Sequence, residues 1–334
     1  MRDLRDYSLK RHNSFGIDAR CRRFLEYSSV EEAQQVAAML REKQEEPFII
    51  IGGGSNLLLT DDYKGTVVHS DIKGIEINGT EVSCGSGERW DGVVKFMIEH
   101  GLYGAENLSL IPGDVGASAV QNIGAYGIEV KDFISYVEAV EIATCKVCRI
   151  DSTECNYSYR YSRFKDDWKG RYLITNVTYN MSAVFVPHIE YGNIRAELER
   201  QGINNPSAAD LRQVIIDIRR QKLPDPEETG NAGSFFMNPV VNREKYEELA
   251  GRYADMPHYK VDENREKIPA GWLIDKCGWK GRSLGKAGVH DRQALVLVNR
   301  GGATGRDIVR LCEAIQKDVE QTFGIELKPE VNII

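Results

Sequence analysis

Two glycine-rich stretches and three isolated polar side chains hold most of the chemistry this sequence could perform. Pro112-Gly-Asp-Val-Gly-Ala-Ser-Ala-Val-Gln-Asn-Ile-Gly-Ala-Tyr-Gly127 carries glycines at 113, 116, 124 and 127 and a single charge, Asp114. Small residues let backbone approach backbone or a ligand, and glycine also permits positive φ. A flexible linker could be as rich in Gly and Ala. Linkers rarely hold Val115, Val120, Ile123 and Tyr126, or the paired amides Gln121 and Asn122, beside their glycines. The stretch therefore reads as backbone wrapped against a flat or polyanionic ligand, ahead of tight internal packing.

The second glycine stretch, Gly52-Gly-Gly-Ser-Asn56, follows the apolar run Phe48-Ile-Ile-Ile51. A glycine loop after a strand suits phosphate binding by backbone N–H groups; a plain tight turn is the alternative. A Rossmann fingerprint is excluded, because its third glycine would fall at Leu57, and no Gly-Lys-Ser/Thr follows to make a P-loop. Arg160 lies in Tyr157-Ser-Tyr-Arg-Tyr-Ser-Arg-Phe164, with three tyrosines and two arginines in eight residues. An arginine there could grip an anion with two parallel bonds; an exposed strand edge with cross-strand tyrosine pairs reads equally well. Ser234, between Gly233 and Phe235-Phe236, reads locally as a turn or cap serine. Glu330 is conspicuous in the apolar run 325–334, since carboxylates are rarely buried without partners. No Ser-His-Asp or Cys-His arrangement can be read from spacing. Such scattered groups imply a bound cofactor doing the difficult chemistry while side chains guide protons and charge.

The bulk numbers narrow the class. At 334 residues the chain should hold two or three domains. Its 43 Lys and Arg against 50 Asp and Glu give a net charge of −7, which argues against a nucleic-acid binder. No apolar run of about 18 residues is present, so no membrane span is expected. The charged Met1-Arg-Asp-Leu-Arg-Asp6 lacks a signal core, and the odd count of seven cysteines reads as free thiols. Both point to the cytoplasm. Cys145-Lys-Val-Cys148 straddles a hairpin turn with no second pair to complete a zinc set, so no metal is expected.

The elements that must position these groups follow from caps and periodicity. Ser29-Val-Glu-Glu32 is a capping box that opens a helix over 30–44, which ends before Pro47. Short runs from Val67 to Cys84 read as sheet. Trp90–His100 is a helix with Trp90, Val93, Val94, Met97 and Ile98 on its core face and Gly101 as its stop. A hairpin spans 134–151 and a strand Tyr172–Met181. Ser207–Arg220 is a capped helix, stopped before Lys222-Leu-Pro-Asp-Pro226. A helix and its exit cover 271–281, Leu295–Val298 is a buried strand, and Thr304 caps a long helix. The chain closes in a strand over 325–334, interrupted by Pro329.

Six motifs then resemble the UDP-N-acetylenolpyruvoylglucosamine reductases, in that family's order. They are Gly52–Asn56; Ile111–Gly116 running into Gln121–Gly127; Tyr159–Phe164; Lys222–Pro226; Gly233–Pro239; and Pro329–Val331. The resemblance implies an α+β chain: an FAD-binding fold of the vanillyl-alcohol-oxidase (PCMH) type in two subdomains, 1–70 with 325–334 and 71–218, and an α+β substrate domain over 219–324. It implies FAD, held non-covalently because no His or Cys lies between 101 and 127, and NADPH as hydride donor. Its FAD contacts map to Gly52, Gly53, Gly54, Ser55, Asn56, Pro112, Gly113, Gly116, Ala117, Gln121, Asn122, Gly124 and Arg219. Arg160, Ser234 and Glu330 match the catalytic trio, with Ser234 as proton donor, which reverses its local reading as a cap. Tyr126, Tyr159, Tyr191, Lys222, Asn238, Lys280 and Gln293 would meet the UDP-sugar, Tyr191 on the loop of the family's longer type. A cytoplasmic monomer acting in peptidoglycan precursor synthesis, without nucleic-acid or membrane partners, is implied. Another FAD oxidoreductase of the same fold, or a non-catalytic flavin- or nucleotide-sugar-binding protein, is the alternative.

Overall fold

The computed structural model describes residues 1–42 and 46–334. They form two compact units. The first comprises Met1–Tyr7, Cys21–Gly53 and Lys64–Arg220; the second comprises Ser8–Arg20, Gly54–Tyr63 and Gln221–Ile334. Among the described residues no helix is long and apolar enough to cross a membrane.

The first unit contains two larger sheets and a two-stranded one, Gly124–Ala125 with Ile128–Glu129. One has four strands in the order Arg2–Ser8, Arg20–Tyr27, Tyr63–Ser70, Phe48–Ile51. Phe48–Ile51 runs parallel to its neighbour with Ile51 opposite His69, and it delivers the chain directly into Gly52. The helix Val30–Glu42 buries Ala33, Val36, Ala37 and Leu40 with Leu25, Tyr27, Val68 and Leu173. Ser29 Oγ accepts the Glu32 N–H at 3.2 Å, as the capping box predicts, but the Glu32 carboxylate reaches one residue further back, to Ser28 N at 2.7 Å. Positions 43 and 44 of the predicted helix lie outside the described residues.

The second sheet of this unit is antiparallel, in the order Lys146–Asp151, Ile134–Glu141, Tyr172–Asn180, Glu81–Gly85, Ile75–Asn78. The expected sheet from Val67 to Cys84 is thus divided between two sheets. On its buried face lie the helices Trp90–Glu99 and Val115–Gln121, sharing a core of Val82, Trp90, Met97, Val115, Ala119, Val137, Val177 and Tyr179. Trp90 and Met97 are core residues, and Trp90 Nε1 donates to Leu108 O at 2.9 Å. The helix Ala208–Lys222 starts at a reciprocal Ser207–Asp210 cap and buries Leu211, Val214, Ile215 and Ile218 against Ile194 and Leu198. It ends two residues beyond the expected Arg220, directly before Leu223-Pro224.

In the second unit an antiparallel sheet has the order Asn231–Ser234, Val296–Asn299, Ala287–Val289, Ser283–Leu284. The helix Gly305–Phe323 packs on it through Ile308, Leu311, Ile315 and Val319, all fully buried. Thr304 and Asp307 form its capping box, 3.2 and 2.9 Å. The expected terminal strand is largely absent as regular structure. Asn332–Ile333 alone forms a strand, parallel to Leu57–Leu58. Pro329 has no N–H to offer a ladder, and 328–330 instead bond singly through Met237 N to Lys328 O (2.9 Å) and Glu330 N to Phe235 O (2.8 Å).

Gly305 opens that long helix, and a Cβ there would overlap the Leu59 carbonyl. Helix propensity alone would favour alanine by about 1 kcal/mol, but overpacking against backbone costs about 1–3 kcal/mol. Gly305→Ala is therefore expected to lower stability by about 1–2 kcal/mol in chemical denaturation; a stabilised variant would contradict this packing.

Candidate active site

The 112–127 stretch is not one extended loop. Val115–Gln121 is a short helix, preceded by Asp114 and ended by Asn122 at φ 44°. Its side chains are too small and too few to show a helical period in sequence. The glycines mostly make room for the protein itself. A Cβ on Gly53 would lie 3.1 Å from Gly113 Cα and 3.2 Å from Asp114 Oδ1. One on Gly52 would lie 2.8 Å from Ala117 Cβ, and one on Gly116 would lie 3.0 Å from Ser86 Cβ. Internal packing, the second reading of the 112–127 stretch, accounts for Gly116, and the same close packing accounts for Gly52 and Gly53, for which a tight turn is the alternative read from sequence. Gly113 and Gly127, at φ 112° and 84°, serve turns that favour glycine. Pro112 lies before this helix and Gln121 is its last residue.

Gly124 answers to Arg160. A Cβ at 124 would sit 3.0 Å from Arg160 Nη1, and Arg160 Nη2 donates to Gly124 O at 2.6 Å. Residues 157–164 form no strand edge; Ser158 and Tyr161 close a tight turn through paired backbone bonds of 3.1 and 2.9 Å. Arg160 sits in that turn at φ 55°, its carbonyl gripped by Lys165 Nζ at 2.8 Å and its guanidinium 5.4 Å from the Tyr159 ring centre. Asn122, fully buried, donates to Ser158 O at 2.8 Å and to Glu129 at 3.1 Å, and accepts from Lys131 N at 3.1 Å. Its amide is thus committed within the protein, to the turn that carries Arg160.

Tyr126, at φ 49°, lies beside the Tyr191 loop. A Cβ on Gly127 would be 3.4 Å from Tyr191 Cβ, and one on Gly192 would be 3.7 Å from Tyr126 Cδ1. Asn107 joins the two segments by donating to Tyr126 O (2.9 Å) and His188 O (3.0 Å). Nothing in the sequence around Asn107 signals this role. Arg219 is half-buried, close to Tyr126, Asp91 and Arg160, and its Nε is buried with no hydrogen-bond partner. Burial lowers its pKa against the pull of Tyr126 and Asp91. Burial likewise raises the Tyr126 pKa, opposed by Arg219. A buried donor of this kind is costly unless something accepts from it, and an anionic cofactor or substrate would. Asp91 braces the same region. It takes both Nη of Arg212, at 2.6 and 2.9 Å, and the N–H of Leu110 just before the stretch, at 2.5 Å. Burial works against the Asp91 charge, but Arg212 and Leu110 outweigh it and lower the pKa.

The remaining candidates are in the second unit. Gly54, at φ 68°, accepts from Ser14 N at 3.1 Å, and Asn56 follows Ser55 and donates to Glu330 O at 3.3 Å. Ser234 ends a strand, opposite Val296 and after Gly233 at φ 67°. Phe236 bridges Pro329 and Phe235 O accepts from Glu330 N, so Ser234 and Glu330 lie on adjoining segments. Asn231 ties the same strand to Pro224 O at 3.2 Å, after Lys222. Asn238 Oδ1 accepts from Ala270 N at 2.9 Å, Lys280 pairs with Asp275 at 3.2 Å, and Gln293 Oε1 accepts from Leu295 N at 3.3 Å. Arg160, Tyr126, Tyr159, Tyr191 and Arg219 belong to the first unit; Ser234, Glu330, Lys222, Asn238, Lys280 and Gln293 belong to the second.

Residues 23–151 match the FAD binding domain family, and residues 225–334 match the UDP-N-acetylenolpyruvoylglucosamine reductase C-terminal domain. A solved UDP-N-acetylenolpyruvylglucosamine reductase from Thermus caldophilus shares the fold, with a TM-score of 0.69 at 20% identity over 99% of this chain and 98% of that one. The α+β architecture is therefore that of an FAD-binding protein. A curated UDP-N-acetylenolpyruvoylglucosamine reductase from Bacteroides fragilis is 51% identical over 98% of this chain and 99% of its own length. One from Burkholderia multivorans is 46% identical over 98% and 95%. With such identity along almost its whole length, the chain belongs to the UDP-N-acetylenolpyruvoylglucosamine reductase family.

Proposed function

We infer that the chain reduces the enolpyruvyl ether of UDP-N-acetylglucosamine to the lactyl ether, UDP-N-acetylmuramate, for peptidoglycan precursor synthesis. The observation that carries this reading is the 51% identity to a curated reductase over 98% of the chain. The reading includes the three-domain division given above, NADPH as reductant, and a monomer working in the cytoplasm.

Bound FAD would supply the hydride-transfer chemistry between NADPH and the methylene carbon of the enolpyruvyl group. The two glycine arms, 52–56 and 112–127, would hold it, and the unpaired Arg219 Nε supports an electron-rich group nearby. Hydride addition at the methylene leaves an electron pair on the neighbouring carbon, delocalised into the carboxylate. Arg160 suits that charge, because a guanidinium meets a carboxylate with two parallel bonds and keeps its proton. Its strained turn fixes it before substrate arrives, so little reorganisation accompanies the reaction. Ser234 gives its hydroxyl proton to the carbanionic carbon and closes the mass balance. A hydroxyl is a weak acid in water, so this step depends on a strongly basic acceptor held close. Glu330, on the segment adjoining Ser234, orients that proton path. Tyr126, Tyr159, Tyr191, Lys222, Asn238, Lys280 and Gln293 bind the UDP-sugar, Tyr191 folding over the diphosphate.

Ser234→Ala is expected to keep flavin reduction by NADPH while reoxidation by the enolpyruvyl sugar slows by about 10²–10⁴-fold. Stopped-flow measurement of the two half-reactions separates them, and normal reoxidation would remove Ser234 from the mechanism. Arg160→Lys keeps a charge but loses the fork. Turnover is expected to fall by about 10²–10³-fold with flavin content unchanged, and near-native turnover would dismiss the bidentate role.

A further inference from the structure

One buried charge cluster beside the flavin cradle has no part in the reaction just described. Asp114, buried and the single charge of its stretch, holds its carboxylate beside the Gly52–Gly53 turn, where a Cβ on Gly53 would come within 3.2 Å of its Oδ1 and one on Gly52 within 3.6 Å of its Oδ2. A carboxylate there is unfavourable for a turn meant to take an anionic pyrophosphate. His69 approaches it from the strand Tyr63–Ser70, beside Ile51 and therefore beside the start of that turn. His69 Nε2 lies 3.6 Å from Asp114 Oδ2, and its Nδ1 lies 3.1 Å from Glu26 Oε2. Phe24 covers the ring, 6.2 Å between centres and 23° between planes. The line of charge continues outward to Arg2, 2.7 Å from Glu26, and to Arg89, 3.9 Å from Asp114. Both arginines are more than half exposed, where water screens them. His69 stands between the two carboxylates on the protected side.

We propose that His69 is a positioning residue for FAD: its imidazolium, held between Glu26 and Asp114, offsets the Asp114 carboxylate and keeps the Gly52–Gly53 turn receptive to the flavin pyrophosphate. The inference rests on the cradle placement proposed above. Its signature is a pH profile. Burial opposes the imidazolium, but Asp114 and Glu26 outweigh burial and raise its pKa above the ordinary 6.5. A group whose charged form favours binding gives full affinity below its pKa and loses it as pH rises through that value. FAD affinity therefore declines as pH rises through the raised His69 pKa.

The test dilutes the holoenzyme at a series of pH values and follows the fluorescence of released oxidised FAD. In the wild type, the FAD Kd should rise about tenfold across the His69 titration, the equivalent of one pKa unit of coupling. His69→Gln should release FAD more readily at low pH and show a flat profile. Asp114→Asn should also flatten the profile while keeping tight binding, and the double variant should recover affinity lost in His69→Gln. A flat wild-type profile overturns the inference, as does His69→Gln with the wild-type slope or a double variant no tighter than His69→Gln. If His69→Gln fails to fold, the Asp114→Asn profile alone decides. Wild-type protein that never holds FAD overturns the cradle placement itself, a separate failure from a flat profile on bound FAD.

Discussion

In the flavin-binding unit two backbone arms approach each other so closely that they leave no space for side chains. Gly53 meets Gly113 and Asp114, while Gly52 meets Ala117. These residues are about sixty apart in sequence, and each arm is anchored to a different sheet. The first leaves the strand Phe48–Ile51 of the four-stranded sheet. The second is bound to the five-stranded sheet through the 115–121 helix, where Gly116 N donates to Ser86 O at 2.9 Å. A methyl group at position 52 or 53 would push the two arms apart, and one at 116 would push the second arm away from Ser86.

Backbone strain gathers around the same place. Leu110, Asn122, Tyr126 and Arg160 all have positive φ without being glycine. Each such residue costs about 1–3 kcal/mol and persists only where its surroundings over-determine it. The surroundings here do: Asp91 fixes Leu110, Asn107 fixes Tyr126, and Gly124, Lys165 and the Asn122 amide fix Arg160 and its turn. The result is a guanidinium and a phenol with little freedom to relax, next to the buried and unpaired Arg219 Nε.

What could be read from sequence follows the strength of local signals. Capping boxes and apolar periodicity located the helices at 30, 90, 208 and 305, because each buries a continuous stripe. The 115–121 helix escaped, since Gly, Ala and Ser give no period to detect. The glycines are legible as close-approach residues, but Gly52, Gly53, Gly54, Gly116 and Gly124 all approach the chain itself, which composition cannot distinguish from a ligand. Asn107 and the Asn122 clamp were invisible, because single buried amides joining distant segments carry no spacing rule. Spacing also left Arg160, Ser234 and Glu330 unconnected. The six ordered motifs linked them by resemblance, and the identity to curated relatives supports that family. Pro329 was legible as an interruption, yet how much of the terminal strand it would dissolve was not.

The proposed function stands on coupling of NADPH oxidation to reduction of one particular ether. Steady-state NADPH consumption by the purified flavoprotein, with and without the UDP-linked enolpyruvyl sugar, tests it most directly. Slow consumption alone and strong stimulation by the sugar, with UDP-N-acetylmuramate formed in equal amount, is the expected result. NADPH consumption that ignores the sugar, or stimulation without that product, would contradict it.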